Sequence, residues 1–187
     1  MSVFGFKEWK LVCDAMERGE QAIILRKGGI SEGRRGFQWS HDEFFLFPTY
    51  FHEQAERLDL SWKPEEEAPT KERDEIRIQL FAKIVKTWEI DDLDKARALA
   101  DLHVWNDEVI EERFGYGDND ELSLALTQLS KLPESWTLAN RKGFGGCRSW
   151  LKLPHEEGLP EDWRQQLQDV TSAEQLKDLE AKIEERL

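Results

Sequence analysis

Cysteine, methionine and tyrosine are each present only twice in these 187 residues, and proline only six times. Cys13 and Cys147 lie too far apart in sequence to form a disulfide framework, and no Cys-x-x-Cys or His/Cys spacing suggests a zinc site. Nothing in the pattern calls for a cofactor. Long apolar runs are missing too. No stretch approaches the ~18 uninterrupted apolar residues of a membrane span, and residues 1–10 lack the apolar core of a signal peptide. The expectation is therefore a cytoplasmic protein with no membrane partner. Positive charge is scarce overall: 39 acidic against 26 basic residues leave a formal charge of −13. Such a balance repels polyphosphates at long range and excludes binding of nucleic acid by the surface as a whole.

Aromatic residues are plentiful. Eight Trp and ten Phe supply a large apolar payload, enough to favour a globular core despite 35% charged residues. The length suits one domain over residues 1–155, with a C-terminal helical extension, 156–187, packed on it.

Apolar residues Phe6, Trp9, Val12, Cys13 and Met16 recur at helical spacing, with Gly19 placed to end a helix over 7–18 and Cys13 on its buried face. Residues 21–27 read as a short strand closed by Gly28-Gly29, and 30–36 as a loop. A second strand over 37–47 is apolar on both faces in its later half, the mark of a covered, central strand. Pro48 closes it, and Thr49 is suited to cap a short helix to Leu58. Residues 61–74 form a charged loop. Ile76, Ile78, Leu80, Ala82 and Ile84 alternate with more polar neighbours, so 75–85 is a strand with one buried face. Helices follow over 91–100 and 107–114, with Asp91 and Asn106 as caps, then a strand over 121–130. Irregular chain after Leu132-Pro133 leads to a short extended Ser149–Leu153 segment. Residues 160–187 are helical, with Leu176, Leu179, Ile183 and Leu187, started by Ser172 and Glu174-Gln175, as a docking stripe that is also suited to pairing with a second chain. The oligomeric state does not follow from this. Strands do not alternate with crossover helices, so the fold class is α+β: a mixed or mainly antiparallel sheet, with a small partial barrel as one form of it, flanked by helices.

Charge is unevenly distributed. Arg26, Lys27, Arg34 and Arg35 crowd one glycine-rich loop. Lys131, Arg141, Lys142, Arg148 and Lys152 crowd a second region, which carries +4 in a chain whose remainder carries −17. Glycine-rich backbone presents N–H groups to anions, and arginine grips phosphate with two parallel hydrogen bonds. Arg26, Lys27, Arg34, Arg35, Arg141, Lys142 and Arg148 are accordingly the candidate ligand-binding residues, for a nucleic acid or another phosphate-bearing ligand. Phe37, Trp39 and Phe144 are suited to stacking bases if exposed. A second group, His41, Asp42, Glu43, His52 and Glu53, has the side chains for metal binding or acid–base work.

The strings Phe6-Lys7-Glu8-Trp9, Ile24-Leu25-Arg26-Lys27-Gly28-Gly29-Ile30 and Glu43-Phe44-Phe45-Leu46-Phe47-Pro48-Thr49-Tyr50 resemble a bacterial family, the domain of unknown function numbered eighteen-oh-two. Leu102-His103-Val104-Trp105, Leu132-Pro133 and Gly145-Gly146-Cys147-Arg148-Ser149-Trp150 extend the resemblance over roughly the first 150 residues. Members occurring beside restriction-type nuclease domains imply a nucleic-acid context by association. A fainter likeness is to PUA and ASCH-like modules, on a helix bearing Glu8-Trp9, a Gly turn, a strand ending in Leu25-Arg26-Lys27 and a strand over 81–87. The leading expectation is a non-catalytic binding module using the two basic loops. One alternative is a metal-dependent nuclease, although the one conspicuous E-x-K, Glu8-Trp9-Lys10, falls on the predicted first helix. A structural or protein-interaction domain is the other.

Overall fold

A computed structural model describes residues 3–27, 37–50, 53–59, 61–62, 74–117, 120–154, 158–159 and 161–187. Seven strands share one sheet: β1 (Val3–Trp9), β2 (Ile23–Arg26), β3 (Glu43–Thr49), β4 (Glu75–Ile90), β5 (Leu122–Ala139), β6 (Trp150–Leu153) and β7 (Gln168–Asp169). The order is β2-β5-β4-β3-β1-β6, with β7 paired to β5. All pairings are antiparallel except β1 with β3. Among the described residues, four α-helices accompany the sheet: α1 (Lys10–Glu17), α2 (Leu93–Arg97), α3 (Asp107–Phe114) and α4 (Ala173–Arg186). The fold is thus α+β with a mostly antiparallel, open sheet, as the element order implies. Among the described residues, no helix is long and apolar enough to cross a membrane.

β3 lies between β4 and β1 and is covered on both faces, as its apolar pattern indicates. Phe44 and Leu46 enter a larger core with α1, α3 and α4; Phe45 and Phe47 enter a smaller one built on Trp136 and Trp163. β4 serves both cores by a different device. Ile78 pairs with Trp136 and Leu80 with Lys131, so residues 132–135 stand opposite the single residue Gln79. This irregularity breaks the two-residue alternation and exchanges the faces. Ile76 and Ile78 therefore belong to the smaller core, Leu80 and Ala82 to the larger. The single buried face read from the sequence is split between two cores. The chain after Pro133 is also not irregular, because β5 resumes and pairs Trp136–Ala139 with Glu75–Ile78.

The largest departure is at the N-terminus. Residues 7–9 close a strand instead of opening a helix, and α1 begins only at Lys10. β1 runs from Gly5↔Phe45 to Trp9↔Thr49 in parallel with β3, and from Val3↔Leu153 to Phe6↔Trp150 antiparallel to β6. Backbone pairing with β3 through Trp9, joined by β6 as far as Phe6, outweighs a helical spacing that Phe6 and Trp9 satisfy only by coincidence. Thr49 ends β3, and its hydroxyl donates to the Glu8 carbonyl at 3.0 Å; residues 51 and 52 of the helix expected after it lie outside the described residues. Gln54 caps α1 from a distance instead, its Oε1 accepting from Leu11 N at 3.2 Å. Local caps hold elsewhere. Asn106 accepts from Val109 N (3.0 Å) at α3, Asp92 rather than Asp91 caps α2 (2.8 Å), and Ser172 with Gln175 forms a capping box on α4. α4 buries Leu176 and Ile183 in the larger core.

His103 is buried between α2 and α3, and neither ring nitrogen has a hydrogen-bond partner. Burial, with repulsion from Arg113, lowers its pKa to about 4, and the Trp105 backbone, Asp101 and Asp59 only partly oppose this. The unfolded chain binds a proton here near pH 6.5, well before the folded one does. Stability tied to His103 is therefore complete above about pH 6.5 and is lost progressively towards pH 4, by about 3 kcal/mol. In urea unfolding at pH 7 and pH 4.5, His103→Phe should show a smaller loss between the two than wild type.

Candidate functional site

At the open end of β2, Arg26 and Lys27 face the last turn of α3 and the β5–β6 connection across a cleft of about 290 Å³. Glu112, Arg113 and Tyr116 form its α3 side, and Cys147 and Ser149 its far wall. Each wall is held by a specific contact. Lys7, from β1, donates through its backbone N to Ser149 O (2.9 Å) and through Nζ to Gly146 O (2.8 Å), which ties the β5–β6 connection to the sheet. Gly146 has φ +85°, a turn conformation that a side chain would strain. Lys27 Nζ donates to Phe114 O (2.7 Å), placing a cation at the C-terminal end of α3, where the helix dipole favours it.

Arg113 is a half-buried cation packed between aromatic rings. Its guanidinium lies 4.4 Å from the Trp105 ring centre and 5.0 Å from that of Trp9, and Nη1 donates to Leu25 O at 3.1 Å. β2 ends the strand order, so the arginine also satisfies a carbonyl of a strand paired on one side only. Burial draws the Arg113 pKa down to about 10, with Glu8 opposing and Arg26 and Arg57 adding repulsion. The group remains a cation at neutral pH. Burial lowers the pKa of Lys27 as well, against the pull of Asp120 and Glu121. It also lowers that of Lys7, where Arg148 adds repulsion and Cys147 opposes.

Beneath the cleft, the Arg26 guanidinium sits 4.7 Å from the Phe6 ring centre and 3.3 Å from the fully buried carboxylate of Glu8. Phe6 in turn contacts three half-buried rings, Trp39 (5.7 Å), Phe37 (6.0 Å) and Trp150 (4.9 Å). Phe144 lies elsewhere, against Phe47 in the smaller core.

Of the seven residues singled out by charge, Arg26 and Lys27 line the cleft. Arg148 lies between the lining residues Cys147 and Ser149 and donates to Gly143 O at 2.8 Å. Arg141 and Lys142 are exposed at the start of the same connection and do not line the cleft. Arg34 and Arg35 lie outside the described residues. The acidic and imidazole group is dispersed: the His41 ring stacks on Phe4 at 3.5 Å, and Glu43 accepts from Arg164 at 2.9 Å. Among the described residues, no three His, Cys, Asp or Glu side chains gather as a metal site; His52 lies outside them. The E-x-K pattern divides between β1 and α1, with Glu8 on Arg26 and Lys10 on Asp14. Sequence reasoning did not reach Arg113, Tyr116 or the role of Glu8. A lone arginine on an acidic helix carries no signal of where it points.

The family model for a domain of unknown function, DUF1802, matches residues 5–182. The chain belongs to this family. Solved structures similar to this family member include the ASCH protein of Zymomonas mobilis and two of its variants. An Ala-for-Ser variant aligns at TM-score 0.50 and 10% identity, over 82% of this chain and 89% of that one. The unsubstituted protein aligns at 0.47 and 12%, over 82% and 89%. A Phe-for-Tyr variant also aligns at 0.47 and 12%, over 84% and 94%. The first of these makes the fold ASCH-like. No curated protein sequence matches the chain.

The two thiols differ sharply in surroundings. Cys147 is exposed on the cleft wall, whereas Cys13 is buried in α1 and its pKa is raised well above the usual range by burial, then by Glu8 and Asp14. Titration with a thiol-reactive dye should find one reactive group in the native protein, assigned to Cys147 by its loss in Cys147→Ser, and two after unfolding.

Proposed function

We propose that this protein is a non-catalytic binding module for a phosphate-bearing ligand, nucleic acid above all, and that the cleft between β2, α3 and the β5–β6 connection is its site. The observation that carries this reading is that Arg26 and Lys27, from one basic island, and Cys147 and Ser149, which flank Arg148 of the other, line one concavity to which α3 adds Arg113. Three cations against one lining carboxylate, Glu112, leave the cleft net positive in a chain of −13, where low-dielectric walls strengthen the potential. The acidic remainder repels phosphates elsewhere and so directs them to this end of the sheet. Arg141 and Lys142, exposed at the start of the β5–β6 connection, add positive charge on that side in this reading. Arg34 and Arg35 are kept as phosphate-binding candidates on their sequence alone, and the exposed parts of Phe37, Trp39 and Trp150 offer stacking surfaces for unpaired bases.

Anisotropy titrations with labelled single-stranded and duplex oligonucleotides, over a range of salt, test the proposal. Affinity should fall steeply with salt and favour the single strand. Arg26→Ala and Arg148→Ala should each weaken binding about tenfold and lower the salt slope by about one. Binding indifferent to salt and to both replacements would overturn the proposal.

A further inference from the structure

Glu8 is fully buried, and its side chain is not fully satisfied. Oε1 accepts from the backbone N of Trp9 at 2.8 Å, while Oε2 lies 3.3 Å from Arg26 Nη2 without a hydrogen bond of its own. Arg26 is held from the other side as well: Nη2 donates to the Lys7 carbonyl, the Phe6 ring lies under the guanidinium, and Nε is buried and unpartnered. A buried ion pair with unsatisfied atoms is a poor source of stability, because desolvation of two charges exceeds what their attraction returns unless the hydrogen bonding is complete. Apolar residues in the same volume would hold β1 to β2 at least as well. What the pair does achieve is geometric. A flexible side chain is reduced to one orientation at the floor of a cleft, beside Arg113, whose charge Glu8 also stabilises.

We infer that Glu8 is a positioning residue: it orients the Arg26 guanidinium so that the cleft recognises a phosphate by directed hydrogen bonds and not by charge alone. The inference rests on the reading of the cleft as a phosphate site, and it makes a prediction opposite in sign to simple electrostatics. Glu8→Gln removes a negative charge and makes the cleft more positive. A site working on net charge binds anions more tightly after that change; a site needing an oriented Arg26 binds them more weakly.

Calorimetric titration of the full chain with inorganic pyrophosphate distinguishes the two. Glu8→Gln should weaken pyrophosphate binding about tenfold despite the added positive charge, with a salt slope no shallower than that of wild type. Glu8→Asp, which keeps the charge but draws the carboxylate back from Arg26, should weaken it too. Combined with Arg26→Lys, Glu8→Gln should add little, because the two residues act as a unit. Unchanged or tighter binding in Glu8→Gln or Glu8→Asp overturns the inference. Should neither variant fold, nitrogen-15 relaxation of the wild-type arginine side chains decides: rotation about the Arg26 Nε–Cζ bond must be slower than for Arg148 before any ligand is added, and equal rotation overturns the inference. Failure of wild type to bind either pyrophosphate or oligonucleotide refutes the cleft as a phosphate site. Weakening by Arg26→Ala but not by the Glu8 variants refutes only the positioning role.

Discussion

The cleft exists because β1 is paired on both sides, parallel to β3 and antiparallel to β6. This double pairing places Lys7 and Glu8 on a rigid strand between the two basic regions, and each then fixes one of them. Lys7 holds the β5–β6 connection through Ser149 and Gly146, and Glu8 holds Arg26 at the end of β2. Backbone hydrogen bonds, which are obligatory once a strand is buried, thus carry the geometry of a site whose ligand-facing groups are side chains from other elements. A rigid scaffold supporting loops of opposite sequence origin is the common route to a precise site on a mobile surface.

The sheet meets a second constraint, which is to cover apolar residues on both faces with a short chain. It does so through the break at Gln79, which turns Ile76 and Ile78 towards Trp136 and Trp163 while Leu80 and Ala82 face the helices. Among the described residues, no α-helix covers the smaller core. Interlocking rings close it, with Phe45 about 5 Å from each of Phe81, Trp136 and Trp163, and Phe81 about 5 Å from Trp163, in edge-on or tilted contacts. Abundant Trp and Phe are thereby accounted for: a thin layer without a helix needs area from few residues.

Electrostatics act locally here. The chain is strongly acidic, yet the cleft is enclosed by Arg26, Lys27 and Arg113, with aromatic rings against two of the guanidinium groups. Rings and partial burial suit arginine, whose diffuse charge is weakly hydrated, better than lysine. Net charge therefore describes what the outside of the molecule repels, and the cleft is governed by its own few residues.

Several parts of this arrangement were legible in the residues alone. Alternation identified β4 and the first half of β5, and two-sided apolarity marked β3 as covered. Asn106 and Ser172 located the starts of α3 and α4, and clustering of charge drew attention to Arg26 and Lys27. Each of these is a local signal, carried by neighbours within a turn or a strand. Strand β1, the continuation of β5 beyond Pro133 and the exchange of faces at Gln79 were not legible, because partners distant in sequence decide them. The same holds for Arg113 and Glu8, whose importance arises only when α3 and β1 meet the end of β2. The sequence by itself determined the α+β composition, the covered strand and the separation of charge. Tertiary structure alone decided which charges share a cleft, since that depends on pairing registers, and registers join residues that no local pattern connects.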